Sequence, residues 1–165
     1  MTATDRRLII VSGLSGAGKT VVLNTLEDLS FYTIDNLPIG MLDTLLEQFM
    51  AEDSKLSNHI AIGIDVRSSR EELASLPELM HSLQQNKVRA ELVFIDADDY
   101  VLTKRFSETR RKHPLSSESV SLTDAIKLEH EAMDELSDAA DLRIDTSHMQ
   151  LQELRNIVSR RIARS

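Results

Sequence analysis

The chain has 165 residues, a formal net charge of −8 and no cysteine. This length fits one domain, residues 1–165, with a substantial core, and a hydrophobic fraction of 41% excludes a disordered polyelectrolyte. The acidic balance argues against broad, non-specific affinity for nucleic acid. The missing cysteines exclude disulfides, thiolate nucleophiles and Cys-based zinc sites. No apolar run reaches the roughly 18 residues of a membrane span, and no secretory signal precedes the first strand, so we expect a cytoplasmic protein.

The strongest motif lies near the N-terminus. Residues 13–20 read GLSGAGKT and match G-x-x-x-x-G-K-[ST] at every fixed position. An apolar run, residues 8–11, precedes the motif as a predicted buried strand, and an apolar-periodic segment follows it as a predicted helix. In this context the pattern indicates a phosphate-binding loop, because glycines let main-chain N–H groups close around phosphate oxygens.

The motif predicts a site for a nucleoside triphosphate with Mg²⁺. The predicted phosphate-binding residues are Gly13, Leu14, Ser15, Gly16, Ala17, Gly18, Lys19 and Thr20. Lys19 is expected to reach the β- and γ-phosphates, and the Thr20 hydroxyl to ligate Mg²⁺. The N–H groups and the dipole at the start of the following helix favour the same anion.

Apolar, strand-like runs recur along the chain, and each is followed by a helix-like segment. The predicted strands are residues 8–11, 31–34, 60–64, 90–95 and 142–144. This alternation predicts an α/β fold with a doubly wound, parallel five-stranded sheet and helices on both faces. Pro77 interrupts the third helical segment, where we expect a break. Ser147 and Gln150 have the spacing of a capping box for the final helix.

Four predicted strands end in an aspartate: Asp35, Asp65, Asp96 and Asp145. The carboxyl ends of parallel strands meet at one edge of the sheet, where ligands bind, and one such aspartate is expected to ligate Mg²⁺. The pattern alone does not choose between them. The sequence resembles the kinase-like branch of P-loop NTPases, whose strand order favours Asp65, with Asp35 as the second choice. Asp96 and Asp145 are expected to be helix N-caps.

A basic stretch, residues 104–112, is the second candidate feature. Its cations are Lys104, Arg105, Arg110, Arg111 and Lys112. One interpretation is a mobile lid in which Arg105, Arg110 and Arg111 stabilise charge developing on the triphosphate. The alternatives are a docking patch for RNA or protein and a solvated helix face that ends in a loop.

Two further signatures are missing. Residues 86–89 read NKVR and lack the carboxylate of the guanine-reading pattern Asn-Lys-x-Asp, so the choice between ATP and GTP stays open. The histidines, His59, His81, His113, His130 and His148, lack the paired spacing of a zinc site. We expect each of them to be an ordinary surface residue.

Six segments occur in the order seen in the RapZ/YvcJ family of bacterial nucleotide-binding proteins. They read VSGLSGAGKT, LEDLSFYTIDNLP, IDVRSS, LVFIDAD, ETRRKHPLS and ADLRIDTS. From about Leu8 onwards the sequence therefore resembles that family. The resemblance implies binding of ATP and GTP with weak hydrolysis, and a second nucleotide-binding segment at Asp65, Val66, Arg67 and Ser68.

Members of the family usually continue into a second domain, which is absent from this sequence. The resemblance places small-RNA binding and aminosugar-phosphate sensing largely in that domain. The chain is therefore expected to be the N-terminal half of an RNase adapter. Its expected partners are a nucleoside triphosphate, the C-terminal domain, a small RNA and an RNase through the full-length protein, and a second copy of the chain.

These observations leave three functions open. The first is a regulatory NTPase with weak, Mg²⁺-dependent hydrolysis, in which Lys19, Asp65 and Asp35 are the candidate catalytic residues. The second is a small-molecule kinase with Asp35 as base and Arg110 and Arg111 on a lid. The third is an RNA- or protein-binding module in which the nucleotide is structural.

Overall fold

A parallel sheet forms the centre of the computed structural model, which describes residues 6–51, 55–67, 70–86 and 88–163. Within these residues five strands are present: β1 (Arg7–Gly13), β2 (Tyr32–Ile34), β3 (His59–Gly63), β4 (Arg89–Asp96) and β5 (Leu142–Asp145). They are parallel, in the order β2-β3-β1-β4-β5. The predicted α/β sheet is confirmed, and its strand bounds differ from prediction by at most two residues.

Helices cover both faces of the sheet. In the described part of the chain they are α1 (Lys19–Asp28), α2 (Leu42–Met50), α3 (Arg70–Gln85), α4 (Asp99–Thr109), α5 (Leu122–Ala139) and α6 (Leu151–Ile157). A 3₁₀ helix, Ile39–Met41, precedes α2, and a π-helical segment, Val158–Ala163, follows α6. The connection from β1 to β2 runs toward one edge, whereas the later connections run toward the other. Right-handed crossovers therefore place α1 opposite α2, α3, α4 and α5, and α6 packs against α1.

β1 lies between β3 and β4 and is buried along its whole length. Its continuous apolar run, rather than an alternating one, is typical of a strand covered on both faces. Val11 is paired with Gly63 of β3 and Val93 of β4. The loop after β1 therefore begins at the centre of the carboxyl edge of the sheet, where ligands bind in this architecture.

The predicted break at Pro77 is wrong, because α3 continues through that residue. Proline removes one main-chain donor and crowds the carbonyl four residues earlier. The buried residues of α3 are Leu73, Leu76, Met80 and Leu83, and they lie on both sides of the proline. Packing of α3 against β4 and α5 outweighs the local preference, as tertiary contacts often do.

The predicted helix caps after β4 and β5 are also wrong. α6 begins after Gln150 without a side-chain cap, and the Ser147 hydroxyl instead accepts the Asp98 N–H at 2.8 Å. Asp96 and Asp145 are the last residues of their strands rather than caps. The two strands extend further than predicted and the following helices begin later, so these side chains turn the chain instead of starting a helix.

No helix in the described residues has both the length and the apolar character needed to cross a bilayer.

Gly13 should tolerate no side chain. Its φ is +152°, and a Cβ added there would lie 2.4 Å from the Ile95 carbonyl oxygen. We expect Gly13→Ala to lower the free energy of unfolding by about 2–3 kcal/mol, through overpacking and backbone strain, as measured by urea denaturation. Gly40→Ala is the matched control, since a Cβ at Gly40 meets nothing within 4 Å. Equal losses in the two variants would contradict this account.

Candidate functional site

The loop between β1 and α1 is held in shape by its own hydrogen bonds. The Leu14 N–H donates to the Ile95 carbonyl, and the Ala17 N–H donates to the Leu14 carbonyl, both at 3.0 Å. Gly16 and Gly18 have φ values of +86° and +123°, which favour glycine. Gly18 directly precedes α1, so the N–H groups of the first helical turn have no acceptor within the helix. Such groups are suited to an anion.

A cavity of about 1240 Å³ opens over this loop and is lined by all eight of its residues. The polar part of the wall also contains Asp35, Asn36, Asp65, Arg111 and Lys112. The apolar part contains Met149, Leu151 and Leu154. Ligand pockets usually measure about 300–1000 Å³, so this cavity has room for a nucleotide and a second group.

Lys19 brings together the two aspartates that the sequence singled out. Its Nζ lies 3.5 Å from Asp35 Oδ1 and 3.8 Å from Asp65 Oδ2, and it donates to Asn36 Oδ1 at 3.1 Å. Asn36, which sequence reasoning did not include in the site, has a φ of +56°. A cation thus lies between carboxylates that follow two different strands.

Asp65 is held by Arg67 as well as by Lys19. The main-chain N–H of Arg67 donates to Oδ1 at 2.9 Å, and the guanidinium donates to Oδ2 at 2.6 Å. Burial alone would raise the pKa of Asp65, but the hydrogen bonds from Arg67 and the charge of Lys19 bring it below its ordinary value. Asp65 is therefore an ionised carboxylate. Val66 is buried, and Ser68 lies outside the described residues.

The residues expected to hold Mg²⁺ have suitable chemistry. Thr20 and Asp65 both line the cavity, and both carry oxygen donors of the kind that Mg²⁺ prefers. Among the described residues no group of three or more His, Cys, Asp or Glu could hold a metal ion. Two oxygen donors, one of them a carboxylate, fit an ion shared with phosphate oxygens and water, which is the usual arrangement for Mg²⁺.

The three arginines proposed for a lid occupy different positions. Arg105 in α4 donates to the Gly16 carbonyl at 3.2 Å and to the Thr146 carbonyl at 2.6 Å, so it ties the loop to the end of β5. Arg110 directly follows α4 in a left-handed conformation and does not contribute to the cavity wall. Arg111 does contribute. Of the three arginines, only Arg111 both lines the cavity and, within the described residues, makes no hydrogen bond to the loop.

Sequence reasoning missed two residues beneath the loop, His113 and Glu129. His113 is 2% exposed and Glu129 is fully buried, and their side chains are 3.1 Å apart. The prediction of a surface histidine is wrong, because the imidazole packs against the Phe106 ring at a centroid distance of 5.2 Å. A signal for Glu129 was present, since it shares the apolar stripe of α5 with Ile126 and Met133.

Comparison with protein families agrees with this architecture. Residues 6–165 match the model of the RapZ-like N-terminal domain. A nucleotide-binding protein of Ectopseudomonas mendocina is 46% identical over 156 residues, which cover 94% of this chain and 55% of that protein. One of Alcanivorax borkumensis is 44% identical over 158 residues, covering 96% of this chain and 56% of that protein. The chain thus spans about half the length of the curated relatives it matches.

Solved structures with the same fold include kinases. Shikimate kinase from Bacteroides thetaiotaomicron aligns with a TM-score of 0.54 at 17% identity, over 92% of this chain and 98% of that chain. A gluconokinase from Sinorhizobium meliloti aligns with a TM-score of 0.52 at 16% identity, over 91% and 87%. At this identity the likeness shows the P-loop, kinase-like fold alone. The match to the family model over nearly the whole chain shows more: this chain belongs to the RapZ-like N-terminal domain family.

Proposed function

We propose that this chain binds ATP or GTP with Mg²⁺ at residues 13–20, hydrolyses the nucleotide slowly, and acts as the regulatory half of a longer protein. The observation that carries the proposal is the position of Lys19. Its ammonium group lies between Asp35 and Asp65, beside a loop and helix start suited to phosphate, in a cavity large enough for a nucleotide.

Each wall of the cavity has a part in this mechanism. The N–H groups at the start of α1 bind phosphate oxygens, and Lys19 neutralises the β- and γ-phosphates. Arg111 and Lys112, which also line the cavity, add positive charge. The apolar residues Met149 and Leu151, which also line the cavity, would receive the base.

The two aspartates take different tasks. Asp65 is ionised and held by Arg67, so it and Thr20 would hold Mg²⁺, which when bound supplies positive charge to the phosphate oxygens. Asp35 is more exposed, at 44% against 14% for Asp65. Although it is paired with Lys19, its exposed carboxylate would orient an attacking water in line with the γ-phosphate.

The regulatory part of the proposal rests on length and family. The relatives that carry the name nucleotide-binding protein are about twice as long as the matched segment. We assign the RNase-adapter and small-RNA-linked role to the full-length protein. The charge of −8 makes this half a poor general binder of RNA.

A small-molecule kinase is the second candidate. The observation that favours it is an exposed carboxylate, Asp35, beside Lys19 in a cavity with room for a second substrate. Asp35 would then accept the proton of a substrate hydroxyl as that oxygen attacks the γ-phosphate. A screen of metabolites for nucleotide-dependent phosphorylation separates the two candidates, since a regulatory NTPase would release phosphate to water only.

Lys19→Ala should remove most of the affinity for triphosphate. We expect the Kd for ATP or GTP with Mg²⁺ to rise at least about tenfold, or about 1.4 kcal/mol, because the charge opposite the β- and γ-phosphates is lost. Isothermal titration with both triphosphates and both diphosphates, with and without Mg²⁺, measures the change and the base preference. Lys104→Ala, an exposed lysine outside the cavity, is the control. An unchanged Kd in Lys19→Ala would contradict the assignment of Lys19 to triphosphate binding.

Asp65→Asn should reduce Mg²⁺-dependent phosphate release more than nucleotide binding. We expect turnover to fall by roughly 10²-fold, since a ligand of the charge-stabilising ion is neutralised, while Kd changes by less than about tenfold. Asp43→Asn, an exposed aspartate of α2, should match the unmodified protein. If Asp35→Asn instead shows the selective loss of turnover, the two aspartates have been assigned the wrong way round.

A further inference from the structure

A buried carboxylate–imidazole pair lies directly beneath the phosphate loop. The Ser15 N–H donates to Glu129 Oε1 at 2.7 Å, and the Ser15 hydroxyl donates to Oε2 at 2.6 Å. His113 Nε2 lies 3.1 Å from the same Oε1. One side chain of α5 therefore holds a residue of the loop and a residue of the segment after α4.

The hydrogen bonds of His113 determine its tautomer. Its Nδ1 accepts the Leu115 N–H at 3.1 Å, so the lone pair is on Nδ1 and the hydrogen is on Nε2. The Nε2–H then donates to Glu129, and the imidazole is neutral. Because both ring nitrogens are engaged and the ring is buried, His113 cannot turn away without leaving polar groups unsatisfied.

His113 also fixes the cations that line the cavity. We define residues 110–114 as the cationic segment. Within it Arg111, Lys112 and Pro114 line the cavity, whereas His113 points to the other side. The His113 carbonyl accepts both the N–H and the hydroxyl of Ser116, at 3.0 and 2.8 Å. The buried histidine is thus the attachment point of the segment.

A second contact joins the same two parts of the chain. The Phe106 ring packs against His113, and a Cβ added to Gly16 would lie 3.0 Å from that ring. The loop and the cationic segment therefore share one buried support, made of Phe106, His113 and Glu129. If either the loop or the cationic segment moved, buried groups that hold the other would be exposed or would lose hydrogen bonds. This is the physical basis of coupling in a packed polar network.

We propose that Glu129 and His113 are positioning residues that couple the phosphate loop to the cationic segment. Through this contact Arg111 and Lys112 stay beside the phosphates, and their contribution to triphosphate binding depends on it. The nucleotide part of this inference rests on the proposed function, whereas the coupling between the two segments does not.

Hydrogen exchange of the nucleotide-free protein tests the coupling by itself. We expect His113→Ala to accelerate exchange at the hydrogen-bonded amides of Ser15 and Ala17 by at least about tenfold, although neither residue is altered. Glu129→Ala should accelerate exchange in both the loop and residues 113–116. Glu129→Gln should stay near the unmodified protein, because an amide can keep all three hydrogen bonds. Glu131→Ala, an exposed glutamate of the same helix, is the control.

Changes confined to residues 113–117 in His113→Ala would overturn the coupling. Thermal melts show whether each variant is folded. Should both alanine variants fail to fold, Ser15→Ala tests the same contact from the loop, without opening a cavity in the core. It should accelerate exchange at residues 113–116. Unchanged exchange at those residues would equally overturn the proposal.

A double-mutant cycle tests the consequence for nucleotide binding. Arg111→Ala should weaken triphosphate binding about fivefold in the unmodified protein and less than about twofold in the His113→Ala background. In the Glu129→Gln background the fivefold effect should return. Equal effects of Arg111→Ala in all backgrounds would overturn the dependence on the contact. If the unmodified protein binds no triphosphate, the proposed function fails, and the exchange experiment still decides the coupling.

Discussion

The burial of β1 between β3 and β4 is the constraint on which the rest of the structure depends. A strand covered on both faces favours a continuous apolar run, here residues 8–11, and Gly13 at its end approaches Ile95 too closely for any side chain. Because parallel strands end at one edge, this arrangement delivers the phosphate loop and the residues after β3 to the same place. Asp65 reaches Lys19 for that reason, and Asp35 joins it from the next strand.

The electrostatics of the site are local. The chain carries a charge of −8, so its overall field opposes an anionic ligand. Lys19 is paired with two carboxylates, and a triphosphate would compete with them for the same ammonium group. For the proposed triphosphate, affinity would therefore come from groups close to the phosphates: the helix start, Lys19, the cations of residues 111–112, and a divalent ion that would offset Asp65.

Features encoded by neighbouring residues could be predicted from the sequence, and features decided by distant contacts could not. The strands and the loop follow from apolar runs and motif spacing. The choice of Asp65 as the carboxylate near the loop comes instead from the strand order of the kinase-like proteins that the sequence resembles. The predicted break at Pro77 fails because the packing of α3 outweighs the local preference of proline to interrupt a helix. The prediction that His113 lies on the surface fails because its sequence neighbours are basic and polar, whereas its burial is decided by Glu129, sixteen residues later. Which carboxylate serves turnover stays a prediction.

Other elements take up the carbonyl oxygens of the loop that would repel an anion. The Gly16 carbonyl oxygen accepts from Arg105, and the Ala17 carbonyl oxygen accepts from the Thr146 hydroxyl. Both donors of Ser15 are turned toward Glu129. Two carbonyl acceptors and both donors of Ser15 are thus engaged by neighbouring elements, whereas the N–H groups at the start of α1 have no acceptor within the helix. A G-x-x-x-x-G-K-T match specifies the backbone, but this division of donors and acceptors requires α4, α5 and β5. The phosphate recognition that we propose therefore depends on the tertiary structure as much as on the motif.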